Sequence, residues 1–370
     1  MKIAFFTDHF LPKTDGVVTR LRHTIYHLKQ LGHEVRLFTI GSKCQTNPQM
    51  HIETVPGYRL PHYPERQWSR PHASYILSRL WTWQPDILHV VNATMLGLGA
   101  YIYHKKTGCP LINSIHTDYL NYLDHYRLKL LKPIMRCFIK FTCERSNLTL
   151  CTSNHMFKQL THIKIKRTSL WQRGVDIHAL HPQKFSFAMR KYLSQGEPHV
   201  PLMIYVGRLS KEKNLTSLRA LLTEIPHCRL AFIGDGPERQ QLEQDFRRTR
   251  TLFTGFLSSE RLAEAYASAD VLLLPSTSET LGLSCLEAMA SGCPVVAANA
   301  GGIPELVQHG QSGYLFKPHV AEEMIEATKA LLVQKNLRQA FSQTARKSAE
   351  VWDWQAATQQ LVELYERVCL

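Results

Sequence analysis

The chain alternates between short runs of consecutive apolar residues and longer stretches where apolar residues recur every third or fourth position, and it does this twice. In the first half the runs fall at Ile3–Thr7, Glu34–Thr39, Asp86–Val91, Leu111–Ser114 and Leu148–Thr152. They are short and largely apolar rather than alternating, the pattern of parallel strands covered on both faces. Between the first two, Val18, Leu21, Ile25 and Leu28 share one helix face, and Gly32 supplies a C-terminal stop. His23 and His27 lie opposite that stripe, toward solvent. Their spacing suits a metal ion, but no glutamate follows His23, and a chain with 19 histidines forms such pairs by chance. No metal site is expected there.

The second half restarts at Leu202–Val206 and continues through Arg229–Gly234, Leu252–Thr254, Val271–Pro275, Val295–Ala298 and Gly313–Phe316. Strands separated by helices twice over predict an α/β protein with two Rossmann-like domains facing each other across a central cleft. The polar stretch 181–201, with Pro182, Gly196, Pro198 and Pro201, reads as the linker. The expected domains are 1–185 and 198–350, followed by a segment 351–370 whose helix carries Leu361, Leu364 and Val368 on one face. A length of 370 residues suits two cores rather than one. In open parallel sheets, ligands bind beyond the carboxyl ends of the strands, so the loops after strands are where chemistry is expected.

Charge separates the halves. Residues 1–185 hold 25 Lys and Arg against 10 Asp and Glu, a balance of +15; the rest hold 19 against 20, a balance of −1, and together they give the +14 of the whole chain. A basic first half attracts anionic lipid, acidic substrates or nucleic acid, but no nucleic-acid motif is present and no nucleic-acid partner is expected. The nine cysteines are scattered, with no Cys-x-x-Cys, which suits reduced thiols in a cytosol. The apolar start MKIAFF stops at Asp8, short for a signal peptide, and no run approaches the ~18 apolar residues of a membrane span. The expected location is cytoplasmic, or peripheral on the inner face of the cell membrane.

Two loops carry candidate chemistry. After the strand LMIYV come Gly207-Arg208 and then Lys213-Asn214. Arg208 and Lys213 can converge on one anionic group, neutralising a diphosphate without a metal; equally, they are two exposed loop charges. After VLLLP, the run from Glu279 to Glu287 puts a glycine, Gly282, between two carboxylates, with a helix beginning near Leu283. Backbone N–H groups at that start attract phosphate, and carboxylates accept paired hydroxyls. Taken alone, Glu279 reads as a capping acid and Glu287 as a surface residue.

Together the motifs are decisive. The run STSETLGLSCLEAMASGCPVVAANAGGIPELVQHGQSGYLF resembles the donor-binding stretch of glycosyltransferase family 4, with its Glu-x7-Glu motif and a glycine pair at Gly301-Gly302. GR followed by KEKN resembles that family's diphosphate clamp. In the first half, FFTDHFLPKTDGVVTRL is similar to its first phosphate-facing loop, PDILHVVN to its fourth strand, INSIHTDYL to its acceptor-side histidine segment and RGVD to its interdomain segment. The resemblance covers almost the whole chain in the right order and is strongest to the lipid-linked α-mannosyl- and sulfoquinovosyl-transferases.

The resemblance implies the GT-B fold, with the last helix crossing back to the first domain, and retaining transfer of a hexose from a GDP- or UDP-linked sugar to an acceptor hydroxyl. Arg208 and Lys213 would hold the diphosphate, Glu287 the ribose and Glu279 the sugar hydroxyls. Gly282 and Leu283 would add backbone contacts, and His116 would meet the sugar near its anomeric centre, with Asp118 similarly placed. Gly16 would present a backbone N–H to the donor phosphate, although Asp15 stands where many members have a second glycine. No Asp-x-Asp motif is present, so metal-independent chemistry with no cofactor beyond the nucleotide sugar is expected. The acceptor side is signalled by Arg127–Phe141, which mixes five basic residues with apolar ones. It reads either as a segment docking on an anionic membrane or as a core helix with lysines on its wet side. A lipid or glycolipid acceptor leads; a soluble or polysaccharide acceptor, and a non-catalytic protein binding sugar nucleotides or anionic lipid, remain the alternatives.

Overall fold

A computed structural model describes residues 1–8, 10–11, 15–41, 50–60, 63–120, 123 and 129–370. The chain divides into two compact units: Met1–Gln172 with Trp354–Leu370, and Arg173–Asp353.

The first unit is built on a seven-stranded sheet ordered β3-β2-β1-β6-β7-β8-β9, every pairing in it parallel. Its strands are β1 (Lys2–Thr7), β2 (Glu34–Ile40), β3 (His51–Val55), β6 (Ile87–Val91), β7 (Leu111–Ile115), β8 (Leu148–Cys151) and β9 (Thr168–Leu170). The hairpin β4 (Tyr58–Leu60) and β5 (Tyr63–Trp68) stands outside the sheet. The helix Gly16–Gln30 buries Val18, Leu21, Ile25 and Leu28, the four stripe residues. His23 is not simply solvated as the periodicity suggested: its ring stacks on Trp354 at 5.0 Å. Trp354 opens the helix Trp354–Cys369, which returns to this unit and buries Leu361, Val362, Leu364 and Tyr365 in the core cluster containing the stripe. Large apolar side chains contribute roughly 1.5–3 kcal/mol each on full burial, so this helix is part of the first unit's core although 181 residues of the second unit (173–353) precede it.

The second unit has a six-stranded parallel sheet, ordered β12-β11-β10-β13-β14-β15. These strands are β10 (Leu202–Val206), β11 (Arg229–Ile233), β12 (Thr251–Gly255), β13 (Val271–Leu274), β14 (Val295–Ala298) and β15 (Gly313–Phe316). The stretch expected as a linker holds the helix Phe187–Leu193, which buries Met189 and Leu193 in this unit's core. Arg190 fastens it by donating to the carbonyls of Pro198, Val200 and Ser268 and to Asp270 at 2.6–3.0 Å. Residues 173–197 therefore belong to the second unit, and the chain changes unit at 172/173 rather than at 185–198. Both sheets reverse their strand order beside a central strand: β1 lies between β2 and β6, and β10 between β11 and β13. Loops leaving adjacent carboxyl ends diverge at such points and open a ligand crevice.

Candidate active site

In the second unit the loop after β10 is shaped by glycines. Gly207 takes φ +148° and donates its N–H to Ile233 O at 3.0 Å. The Gly-Asp-Gly segment after β11 packs against it so closely that a Cβ on Gly234 would sit 2.1 Å from Gly207 O, and one on Gly236 2.3 Å from Leu209 O. The Tyr205 hydroxyl donates to Arg208 O at 2.9 Å. A 3-10 turn, Lys211–Lys213, then ends at Asn214 in the left-handed conformation, φ +53°. Arg208 is half-buried, whereas Glu212 is buried and accepts from Ser210 Oγ at 2.6 Å.

The loop after β13 runs alongside. Lys213 Nζ lies 2.5 Å from Glu279 Oε1, with side chains only 17% and 16% exposed. The sequence assigned Lys213 with Arg208 to one ligand group and Glu279 to another; the structure brings Lys213 and Glu279 together. The backbone of Glu279 is held by the glycine pair: Gly302 N donates to Glu279 O at 2.8 Å. Gly301, at φ +61°, approaches so closely that a Cβ would lie 2.2 Å from the same oxygen.

Gly282, at φ +65°, is the N-cap of the helix Leu283–Ala290, whose start has no side-chain cap. One turn on, Glu287 is only partly exposed and accepts from Tyr266 Oη at 2.8 Å. Burial raises the Glu287 carboxyl above its usual value, and the tyrosine hydrogen bond works in the opposite direction. Tyr266 itself is fully buried, and that burial, reinforced by the adjacent carboxylate, keeps its phenol protonated.

Arg173 and Tyr266 are functional candidates that sequence reasoning passed over. The RGVD run was visible, but not what its arginine reaches: Thr280 O at 3.4 Å, Gly302 O at 3.1 Å and Glu305 Oε2 at 3.3 Å. Tyr266 sits in an ordinary amphipathic helix, Ser259–Ser268, and carries no sequence signal.

In the first unit the picture differs. Asp15 caps the helix Gly16–Gln30, accepting from Val17 N and Val18 N at 2.9 Å each. A carboxylate thus stands at the helix start where Gly16 was expected to meet phosphate. His9 and residues 12–14 of that loop lie outside the described residues. His116 follows β7 and is buried, with Nε2 2.9 Å from Ser114 Oγ. Ser114 is also 2.8 Å from His89, which shares a 2.6 Å hydrogen bond with Tyr365. Burial, then Arg20 and His89, hold the His116 ring well below its ordinary pKa, and His89 is lowered to about 3. Both imidazoles are neutral near neutral pH. Asp118 is buried too, accepting from Gln159 Nε2 at 2.8 Å.

The basic segment forms a 3-10 turn, Lys129–Leu131, and the helix Lys132–Glu144 with Pro133 in its first turn; Arg127 and Leu128 lie outside the described residues. The turn leaves Leu130 93% exposed with Leu131 also outside, and the helix buries Ile139, Thr142 and Cys143 but leaves Ile134 67% exposed with Phe141 also outside. Arg145 lies 3.7 Å over the Phe141 ring. An apolar groove of about 450 Å³ runs beside it, lined by Met95, Leu98, Tyr101, Cys137, Phe138 and Phe141 among others. Among the described residues no helix is long and apolar enough to cross a membrane.

Two parallel Rossmann-like sheets in one chain, the second bringing Lys213 and Glu279 together at its switch point, give the α/β architecture of the GT-B class. Residues 14–179 match the model described as Glycosyltransferase Family 4, and residues 191–348 that of Glycosyl transferases group 1. The sulfoquinovosyl transferase SQD2 of Arabidopsis thaliana is 36% identical over 352 residues, 93% of this chain and 69% of that one. A GDP-mannose-dependent alpha-mannosyltransferase of Mycolicibacterium smegmatis is 29% identical over 378 residues, 100% of this chain and 98% of its own. Among solved structures, Anabaena Alr3699/HepE in complex with UDP-glucose superimposes with a TM-score of 0.81 at 20% identity, covering 99% of this chain and 100% of that one. The chain belongs to glycosyltransferase family 4 and is a nucleotide-sugar-dependent hexosyltransferase.

Proposed function

We propose that this enzyme moves a hexose, with retention and without a metal ion, from a GDP- or UDP-linked donor to a hydroxyl of a lipid or glycolipid at the membrane surface. The observation that carries the donor half is the convergence of Lys213 and Glu279 from two switch-point loops, beside a helix start with no capping side chain. Arg208 and Lys213 meet the diphosphate, and the N–H groups at Gly282 and Leu283 add fixed dipoles. Glu287, oriented by Tyr266, accepts the ribose hydroxyls, and Glu279 the sugar hydroxyls. Gly16 contributes at most a backbone N–H, because Asp15 brings its charge to the same helix start. His116 serves the sugar as a neutral hydrogen-bonding ring.

In the reaction the bond from the anomeric carbon to the phosphate oxygen breaks as the acceptor oxygen bonds to that carbon on the same face. The acceptor's proton passes to the departing phosphate oxygen, so no carboxylate base is needed. Charge growing on the nucleoside diphosphate is met by Arg208, Lys213 and the backbone dipoles, already in place.

The acceptor half rests on the helix Lys132–Glu144. Exposed Leu130, Ile134 and Phe141 beside Lys132, Arg136, Lys140 and Arg145 suit insertion into an anionic interface, and the adjacent groove suits an acyl chain. The test incubates the purified protein and EDTA with GDP- and UDP-hexoses and anionic vesicles containing diacylglycerol, with mass-spectrometric analysis of the lipids. A glycosylated lipid is the expected product. Transfer only to soluble glycans would replace the lipid acceptor, and activity only after Mg²⁺ or Mn²⁺ addition would overturn the metal-free clamp.

A further inference from the structure

Arg173 is the first residue of the second unit and only 1% exposed. Placing a guanidinium there is costly: burial lowers its pKa, with Glu305 opposing the loss, and its Nε finds no hydrogen-bonding partner among the described residues. A buried ion pair contributes little net stability against an apolar filling of the same space, so stability alone does not account for an arginine here. Its contacts do. Nη2 reaches Thr280 O, the residue after Glu279, and Gly302 O, the residue whose N–H holds Glu279 O. Glu305, on the 3-10 turn Ile303–Glu305 that follows the glycine pair, completes the set. Trp352 lies with its ring 5.9 Å from the guanidinium carbon. One side chain therefore ties together the two loops that fix the Glu279 backbone.

We propose that Arg173 is a positioning residue for the transfer step, setting the placement of the Glu279 carboxylate by bridging the Glu279–Thr280 and Gly301–Gly302 segments. The assignment rests on the reading of Glu279 as the donor-sugar ligand. Two of the nucleotide's contacts stand apart from it, Arg208 after β10 and Glu287 inside the helix Leu283–Ala290, and Arg173→Met leaves the Glu279 charge beside Lys213 in place. A carboxylate displaced by about 1 Å can cost on the order of 10²-fold in rate without loss of binding.

The test compares Arg173→Met, Arg173→Lys and Glu305→Gln with Glu279→Gln in the full chain. It reads kcat and KM with the nucleotide sugar, the Kd of UDP and GDP by calorimetry, and the unfolding midpoint. Arg173→Met should lower kcat by about 10- to 100-fold while nucleotide Kd stays within about twofold. Arg173→Lys should recover part of the loss, and Glu305→Gln should show a smaller loss of the same kind. Wild-type kcat in Arg173→Met, or kcat and nucleotide affinity falling together with the midpoint, would overturn the proposal. If Arg173→Met does not fold, Arg173→Lys and Glu305→Gln decide it, and wild-type kcat in both overturns it. A normal kcat in Glu279→Gln would instead remove the sugar-ligand reading on which the proposal stands; a low kcat there with a normal Arg173→Met sinks the positioning role alone.

Discussion

Replacing Glu279 by glutamine should move nucleotide binding and sugar transfer in opposite directions. Lys213 Nζ and Glu279 Oε1 are 2.5 Å apart in side chains that are 17% and 16% exposed, so without ligand the cation assigned to the diphosphate is already neutralised. An incoming diphosphate has to share that ammonium and also feels the carboxylate's charge. With unit charges about 6 Å apart and an effective dielectric of about 30–40, the repulsion is about 1–2 kcal/mol. Glutamine removes it, and UDP or GDP should bind about 5- to 30-fold tighter to Glu279→Gln. The same change removes the carboxylate assigned to the sugar hydroxyls, so kcat at saturating donor should fall by roughly 10²-fold. Calorimetry with the free nucleotides and initial rates with the nucleotide sugar measure the two effects separately. Weaker nucleotide binding with an unchanged kcat would overturn both assignments, since Lys213 would then need Glu279 to hold it in place and the carboxylate would not touch the sugar.

Glu287, its carboxyl raised by burial, binds an extra proton in the folded state between its unfolded and its raised folded pKa. Stability should therefore fall as pH rises through that window, and Glu287→Gln should be the more stable protein above it. If Glu287 holds the ribose as proposed, nucleotide affinity should rise through the same window in the native protein and stay flat and weak in Glu287→Gln; thermal unfolding and calorimetry from about pH 4.5 to 8 check both. Gly301→Ala forces a Cβ to within 2.2 Å of Glu279 O at φ +61° and should cost about 2–4 kcal/mol with a large loss of kcat. Gly310→Ala, at φ +78° with none of the described residues within 4 Å of the new Cβ, should cost only about 1 kcal/mol, as read from denaturant unfolding. Exchanging Ile134 and Phe141 for serine should weaken cosedimentation with anionic vesicles while leaving UDP or GDP binding intact, and high salt should weaken the native protein likewise.

The central strands were legible because they are buried on both faces. β10, β14 and β15 have the limits their apolar runs suggest, and the other anticipated strands differ by one residue at one or both ends. What escaped was less apolar or shorter. β3 is partly exposed along most of its length and β9 is three half-buried residues at a sheet edge, so neither needed an apolar run. The helix Phe187–Leu193 was hidden by the prolines and glycine around it, and its anchor, Arg190, acts through carbonyls that no pattern displays. At the site the residue types were legible and their pairings were not. Lys213 and Glu279 are 66 residues apart and looked like ligands of separate groups. Arg173 reaches partners 107 to 132 residues away, a distance over which periodicity carries no information.

The two helix starts that the sequence offered to phosphate are not equivalent. In the first unit Asp15 occupies the N-terminus of Gly16–Gln30, satisfying Val17 N and Val18 N with a carboxylate, so the favourable end of that helix dipole is already matched by a negative charge. In the second unit Gly282 leaves the start of Leu283–Ala290 without any side-chain cap. Gly282 owes its left-handed φ of +65° and its tight fit against Ile303 and Leu306 to the absence of a side chain. A side-chain cap at that position would require a Cβ where these neighbours stand. The absent cap and the tight packing thus follow from the same glycine, and the lack of a side-chain cap among the described residues is what favours assigning the donor's phosphate to this helix start rather than to that of Gly16–Gln30.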